Sequence, residues 1–274
     1  PLEITNGTII MMAKFLDYNL DPIPQNPNPV NSVTYKLLHS ADYSMTKYSV
    51  KHFAHFMRGL RKIILLFKGA ELPGSLSFYI DRMLKLLQEG PLLQLSKTGE
   101  DEKFSIQQNL YYGYHMRVHY KSELHELIDI YSRLEAWYSM AMAVKAYDLH
   151  FPEFIEQEEP FLKAEGLYHV LLQKPVPYDM TMQPRENFIF LTGANMAGKS
   201  TLIKAVGSAV FLAHMGMGVP AKSMQLTLFD GLLTNINVID NIARGESYFF
   251  NEVQRIKNTI YKINDGQKCL VLID

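Results

Sequence analysis

Apolar residues in the first half of the chain recur at helical spacing. Over Phe53–Phe67 they return every three or four residues and so form one stripe along a helix. Similar patterns predict helices over Leu76–Gln88 and Lys121–Tyr147, and we expect the run Ile128–Val144 to be well packed. Residues 1–40 contain DPIPQNPNPVNS, which has four prolines and three asparagines. We therefore expect an irregular N-terminal arm before the helices.

The pattern changes in the second half, where strands and a helix alternate. ENFIFLTG over Glu186–Gly193 predicts a short buried strand, and Lys199–His214 predicts a helix with an apolar face. KCLVLID over Lys268–Asp274 is nearly continuous in apolar residues, as a parallel strand covered on both faces would be. This order predicts an α/β core. We therefore divide the chain into a helical domain of residues 1–150 and an α/β domain of residues 151–274.

A glycine-rich loop (residues 193–200) joins the first predicted strand to the helix. Gly193, Gly198, Lys199 and Ser200 stand at the spacing G-x-x-x-x-G-K-S. Backbone N–H groups between two glycines can point at phosphate oxygens, beside the positive end of the helix dipole. The lysine would neutralise phosphates and the serine hydroxyl would ligate Mg²⁺.

The spacing by itself is a limited signal. It arises by chance in roughly one chain in a hundred of this length. Here a predicted strand precedes it and a predicted helix follows it, which favours a nucleotide site. The predicted nucleotide-binding residues are Gly193, Ala194, Asn195, Met196, Ala197, Gly198, Lys199, Ser200 and Thr201.

An aspartate closes the last apolar run. Asp274 follows LVLI, so its carboxylate would lie at the C-terminal tip of a buried strand. There it would hold Mg²⁺ through water, next to the loop. Many strands end in aspartate, and the signal gains weight only from its pairing with the loop. We predict that Ser200 and Asp274 form the metal site.

Three segments in the second half carry more specific motifs. They are TGANMAGKST (Thr192–Thr201), MGMGVPA (Met215–Ala221) and NIARGESYFFNEV (Asn241–Val253). The first is similar to TG-P-NM-GGKST, the second to IG-x-x-VPA and the third to LASGRSTFMVEM, all patterns of the MutS family of DNA mismatch-repair ATPases. The resemblance is specific over roughly Gly166–Asp274 and weaker over Ile128–Phe154.

The resemblance implies an α+α/β architecture, in which an all-helical domain precedes a P-loop, ABC-like ATPase domain. It implies ATP and Mg²⁺ as cofactors and a homodimer through the ATPase domains. Ser247 of one subunit would reach the γ-phosphate bound by the other, although a helix start also needs such a residue as an N-cap. The residue that stacks on adenine would fall near Pro175, and Val176 or Tyr178 would substitute for it.

The family places a glutamate directly after its Walker B aspartate, to orient the attacking water. That residue would follow Asp274, so we assign no catalytic residue. We expect a C-terminally truncated chain with an incomplete ATPase domain, which barely hydrolyses ATP by itself. The resemblance also implies a short MutS-like protein without the mismatch-recognition domain, since the residues before the ATPase region are taken up by helices.

Composition and charge add three limits. A net charge of −1 provides no overall positive field for nucleic acid, so such a contact needs a local patch. The single cysteine, Cys269, excludes a disulfide within the chain and fits a cytoplasmic location. No apolar stretch reaches the ~20 residues that span a bilayer, so we expect no membrane association.

Two functions remain open from the sequence. The first is ATP-dependent DNA binding in mismatch repair or recombination, with DNA on the N-terminal helices. Five basic residues lie along the predicted stripe helix, either as a DNA contact or as its solvated side: Lys51, Arg58, Arg61, Lys62 and Lys68. The alternative is a nucleotide-switched protein-interaction module that does not bind DNA. The balance of 16 basic and 15 acidic residues over positions 1–150 keeps it open.

A histidine pair offers a further candidate site. His115 and His119 have the spacing of metal ligands on a helix, with Glu123 one turn further on. Their aromatic neighbours in YYGYHMRVHY favour helix packing instead.

Overall fold

The chain folds into two units, each with its own hydrophobic core. The computed structural model describes residues 4–88, 90–236, 248–263 and 266–274. The units are Pro1–Ala136 and Trp137–Asp274, so they divide within a long helix, whereas the sequence analysis divided the chain after residue 150. No helix among the described residues is long and apolar enough to cross a bilayer.

Seven helices begin among the described residues of the first unit, and the longest of them is central. They are α1 (Asn6–Asp17), α2 (Pro29–Leu38), α3 (Ser40–Leu66), α4 (Gly74–Leu86), α5 (Gly90–Ser96), α6 (Ile106–Val118) and α7 (Lys121–Ala146). α3 packs against α1, α5 and α6. Phe53, Phe56, Met57 and Leu60 are fully buried along one side of α3. The amphipathic stripe predicted over Phe53–Phe67 is therefore confirmed.

The N-terminal segment contains two helices, so the expectation of an irregular arm was wrong for Asn6–Asp17 and Pro29–Leu38, whereas residues 18–28 between them are irregular as expected. The Thr5 hydroxyl accepts the N–H of Thr8 at the start of α1. Asn28 and Asn31 exchange side chain–backbone hydrogen bonds in a capping box, with Pro29 at the first position of α2. The end of the proline-asparagine cluster therefore starts a helix, whereas its first part, residues 21–28, lacks regular structure as expected.

α7 forms as predicted, but only its first part is well packed. Leu124, Leu127 and Ile130 are buried, whereas Tyr138 and Met142 are exposed. The C-terminal part carries apolar residues around the whole helix, so one packing face cannot cover them all. The expectation of a well-packed run to Val144 was wrong for this part.

The second unit contains six strands and two helices among its described residues. They are β1 (Glu153–Phe154), β2 (Leu162–Leu167), β3 (Tyr178–Met182), α8 (Lys199–His214), β4 (Ser223–Leu226), β5 (Gly231–Asn235), α9 (Tyr248–Ile263) and β6 (Cys269–Ile273). Four strands form one sheet in the order β1-β4-β2-β3, in which only the β1–β4 pair is parallel. β5 and β6 form a separate parallel pair.

α8 packs closely on the β5–β6 pair. Its residues Val206 and Val210 share a buried cluster with Leu270 and Leu272 of β6. Gly207 faces Leu272, and a Cβ at that position would lie 2.7 Å from the leucine Cδ1. The helix and the strand predicted around these residues are confirmed, although Ile273 is exposed and β6 is not covered completely on both faces.

The strand predicted over Glu186–Gly193 does not form. Its backbone belongs to no sheet, and the side chains of Phe188 and Phe190 are 81% and 78% exposed. A strand needs a neighbour to satisfy its N–H and C=O groups, and β6 pairs with β5 instead. Apolar content predicted a buried strand, but the pairing partner that decides the matter is remote in sequence.

Candidate functional site

The glycine-rich loop runs directly into α8, and its last glycine has a backbone conformation that favours glycine. Gly198, with φ 93°, precedes the first residue of α8, Lys199. A Cβ on Gly198 would lie 3.3 Å from the Tyr178 hydroxyl at the start of β3. Met196 is also left-handed, with φ 65°, and its side chain is fully exposed. The loop therefore turns tightly at Gly198, where it lies close to Tyr178.

The Lys199 ammonium folds back over the loop. Its Nζ donates to the carbonyl oxygens of Gly193 at 2.9 Å and Ala194 at 2.8 Å. The positive charge is thereby held beside the backbone of the loop and the N-terminus of α8. Both features favour a bound anion at this position.

Ser200 and Asp274 meet, although they are 74 residues apart in the chain. The Ser200 hydroxyl donates to Asp274 Oδ1 at 2.9 Å. The Asp274 backbone N–H donates to the carbonyl of Asn235 at 3.3 Å, so the end of β5 helps to position the aspartate. A hydroxyl and a carboxylate are hard oxygen donors of the kind that Mg²⁺ prefers.

The predicted site residues that the structure describes divide into three groups. Gly193, Ala194 and Lys199 are joined through the lysine, and Ser200 and Asp274 through their hydrogen bond. Asn195, Met196, Ala197, Gly198 and Thr201 lie in the loop or at the start of α8. Ser247 lies outside the described residues. The roles of all these residues in binding stay predictions.

The sequence analysis missed the contribution of Asn235. Its carbonyl holds Asp274, and its side chain Nδ2 donates to the Thr259 hydroxyl of α9 at 3.2 Å. Because β5 runs parallel to β6, the two strand ends meet at one edge. A polar residue at the end of an apolar run was the available signal, and it was the same signal that marked Asp274.

The basic stripe of α3 is partly used within the first unit. Arg58 donates to the Thr98 hydroxyl at 3.0 Å, and Lys62 pairs with Glu100 at 3.2 Å. Lys51, Arg61 and Lys68 are exposed. A nucleic-acid contact here would rest mainly on Lys51 and Arg61 of α3 and on Lys68 in the turn that follows it.

The histidine pair packs among aromatic rings. The rings of His115 and His119 lie 5.1 Å apart, and Tyr111 contacts His115 at 4.3 Å between centroids. His115 Nδ1 is buried without a hydrogen-bond partner, and burial lowers the pKa of His115. This arrangement agrees with helix packing, which the aromatic neighbours favoured.

Comparison with known proteins shows what the region around the loop is similar to. Residues 189–274 match the family model for MutS domain V. The DNA mismatch repair protein MutS of Petrotoga mobilis is 29% identical over 159 residues, which cover 57% of this chain and 19% of that protein. MutS 1 of Haloarcula marismortui is 32% identical over 145 residues, 52% of this chain and 15% of that protein. The MutS of Carboxydothermus hydrogenoformans is 32% identical over 162 residues, with coverages of 57% and 19%.

This chain spans less than a fifth of the length of these relatives. Within the matched region lie the glycine-rich loop, α8 and β6, whose residues form the contacts described above. The mixed helical and sheet structure of the second unit is consistent with such a domain. The chain is therefore MutS-like, with its similarity centred on MutS domain V.

Proposed function

We propose that this protein binds ATP with Mg²⁺ at the glycine-rich loop and belongs to a MutS-like ATPase that acts on DNA in mismatch repair or recombination. The observation that carries the proposal is the 2.9 Å hydrogen bond between Ser200 and Asp274. It joins the two sequence elements that a Mg²⁺–nucleotide site requires. The relatives named MutS support the assignment to DNA mismatch repair.

Each residue of the site has a role that follows from its contacts. Lys199 would exchange two loop carbonyls for phosphate oxygens, and the first N–H groups of α8 would donate to the same phosphates. Ser200 and Asp274 would hold Mg²⁺ through their oxygens. Bound Mg²⁺ would supply positive charge between the phosphate groups. The hydrogen bond from the Asp274 N–H to the Asn235 carbonyl would hold the aspartate at the strand tip.

The wider assembly is part of the same proposal. ATPase domains of two copies would meet around the nucleotide, with Ser247 of each reaching the other copy's phosphate. The helices of the first unit would contact DNA, in the cytoplasm, through the exposed cations of α3. ATP would then control how tightly DNA is held.

Nucleotide binding is tested by titrating the protein with a fluorescent ATP analogue. Lys199→Ala should weaken binding by about 2 kcal/mol, roughly thirtyfold, because a charge-assisted contact to phosphate is lost. Lys204→Ala is the matched control, since Lys204 is a second lysine on α8 outside the loop. Equal affinity of the Lys199→Ala variant and the unmodified protein would refute the site.

DNA binding is tested separately, by filter binding to duplex and branched DNA at two salt concentrations, with and without ATP. The proposal expects binding that weakens with salt, because phosphate contacts release counterions. Absent or salt-insensitive binding would instead support the nucleotide-switched protein-interaction module. The internal engagement of Arg58 and Lys62 is the observation that favours this second function.

A further inference from the structure

A cavity of about 310 Å³ opens between β5 and α9. One side is the consecutive stretch Leu232–Asn235 of β5. The other side is a single face of α9, since its lining residues are three and four positions apart: Arg255, Asn258, Thr259 and Lys262. None of the described lining residues belongs to the glycine-rich loop or to the Ser200–Asp274 pair. We call this cavity the β5–α9 groove.

The strand side of the groove carries an unpaired edge. β5 pairs with β6 only, within the part of the chain that the structure describes. The Asn235 carbonyl faces β6, because it accepts the N–H of Asp274. Backbone groups alternate in direction along a strand, so those of Leu232 and Thr234 point to the free edge. Such an edge can pair with an added strand.

A buried polar link holds the helix against β5. Asn235 Nδ2 donates to the Thr259 hydroxyl, which donates in turn to the Arg255 carbonyl at 2.9 Å. Asn235 and Thr259 are both buried. Breaking such a link leaves buried polar groups unsatisfied, which is costly. The Asn235–Thr259 hydrogen bond therefore holds α9 at a fixed distance from β5.

The helix side of the groove is cationic. Arg255 and Lys262 are exposed, and neither forms an ion pair with a carboxylate among the described residues. No acidic residue is among the described residues that line the groove. Seven residues of helix separate the two cations by roughly 10 Å along the axis, which lies between the spacings of about 7 and 13 Å for side chains two and four residues apart on one face of an extended chain.

We propose that the β5–α9 groove binds an extended acidic segment of another protein. The segment would add as a strand to the free edge of β5, through the backbone groups of Leu232 and Thr234. Its carboxylates would pair with Arg255 and Lys262. A nucleic acid would satisfy the two cations but not the strand edge, because a sugar–phosphate backbone lacks the regularly spaced amide donors and acceptors of a peptide.

The test uses the whole chain and fluorescein-labelled peptides, with anisotropy as the readout. The probe is a seven-residue peptide of alternating Glu and Val, and its counterpart alternates Lys and Val. The acidic peptide should bind and the basic peptide should not. Methylation of alternate amide nitrogens in the acidic peptide should lower its affinity at least tenfold, because it removes strand pairing while keeping the charge. This comparison needs no variant of the protein.

A second experiment reverses the charges of the two groove cations. The double variant Arg255→Glu with Lys262→Glu should bind the acidic peptide at least tenfold more weakly. Lys257→Glu is the matched control, because Lys257 lies on the same helix but over the Tyr261 ring and outside the groove. Its affinity for the peptide should change less than twofold.

Four results would overturn the proposal. They are no binding of the acidic peptide, equal binding of the basic peptide, unchanged affinity after amide methylation, and tighter binding of a mixed-sequence single-stranded oligonucleotide than of the acidic peptide. The last result would assign the groove to nucleic acid. Protection of the Leu232 and Thr234 amides from hydrogen exchange in the presence of peptide would support pairing at the free edge directly.

Discussion

Replacing Asp274 by asparagine separates a metal-site role from a structural one. The asparagine side chain would keep a carbonyl oxygen that can accept the Ser200 hydroxyl, now 2.9 Å from Asp274 Oδ1, and the backbone N–H at this position would still reach Asn235. The substitution therefore removes the negative charge and little else. The fold of the β5–β6 pair should be unchanged.

The expected magnitude follows from the difference between charged and neutral contacts. A hydrogen bond to an ionised group contributes about 1.5–3 kcal/mol, against about 0.5–1.5 kcal/mol between neutral groups. Losing the charge of Asp274 should therefore weaken Mg²⁺-dependent nucleotide binding by about 1–2 kcal/mol, a factor of roughly five to thirty. Without Mg²⁺, binding should be equal or slightly tighter, because a carboxylate no longer repels the phosphates.

The assay is a titration with a fluorescent ATP analogue, in Mg²⁺ and again in EDTA. Asp230→Asn is the matched control, because the Asp230 carboxylate accepts the Lys268 N–H at 2.7 Å at the opposite end of the same strand pair. Its nucleotide affinity should not change in either condition. Equal loss for Asp274→Asn with and without Mg²⁺, or no loss at all, would show that Asp274 does not serve a metal.

Three further predictions concern the loop and the first unit. Gly198→Ala should lower stability by about 1–2 kcal/mol in a thermal melt, because φ 93° strains an alanine and its Cβ would press on the Tyr178 hydroxyl; an unchanged Tm would contradict this. Glu126→Gln should lower the urea midpoint at pH 7 and should lower it less at pH 3. Arg82 donates to Glu126 at 2.6 and 2.8 Å and lowers the pKa of that carboxyl, so the stabilisation is present above the ordinary value of 4.5 and is lost as pH falls through the lowered pKa. An equal shift at both pH values would count against the pair. Asn28→Ala should cost about 1 kcal/mol by removing the N-cap of α2, read as faster hydrogen exchange of the α2 amides; unaltered exchange would argue against the cap.

The spacing of apolar residues was enough to predict α3, α8 and β6. α3 and α8 each have a continuous apolar stripe, and β6 is a short apolar run that ends in an aspartate. The meeting of Ser200 with Asp274 was predictable as well. A helix that opens from a loop and a parallel strand that ends beside it share one edge of the fold.

The wrong or missed predictions concern features that depend on individual capping contacts or on residues remote in the sequence. α2 depends on the capping box of Asn28 and on the position of Pro29, which a count of prolines and asparagines cannot distinguish from a loop. The segment over Glu186–Gly193 is apolar enough for a strand, but strand formation depends on a distant partner. The contribution of Asn235 depends on which strand lies next to β6.

The two bonds of Asn235 have a thermodynamic consequence. Its carbonyl anchors the aspartate of one proposed site, while its side-chain amide anchors the wall of the other. A shift of α9 must therefore either break this buried bond or displace Asn235, and with it the carbonyl that accepts the Asp274 N–H. The coupling must then be reciprocal: if bound nucleotide changes the affinity for the peptide by some factor, bound peptide changes the affinity for the nucleotide by the same factor. One residue, Asn235, would thus couple the binding free energies of the two ligands.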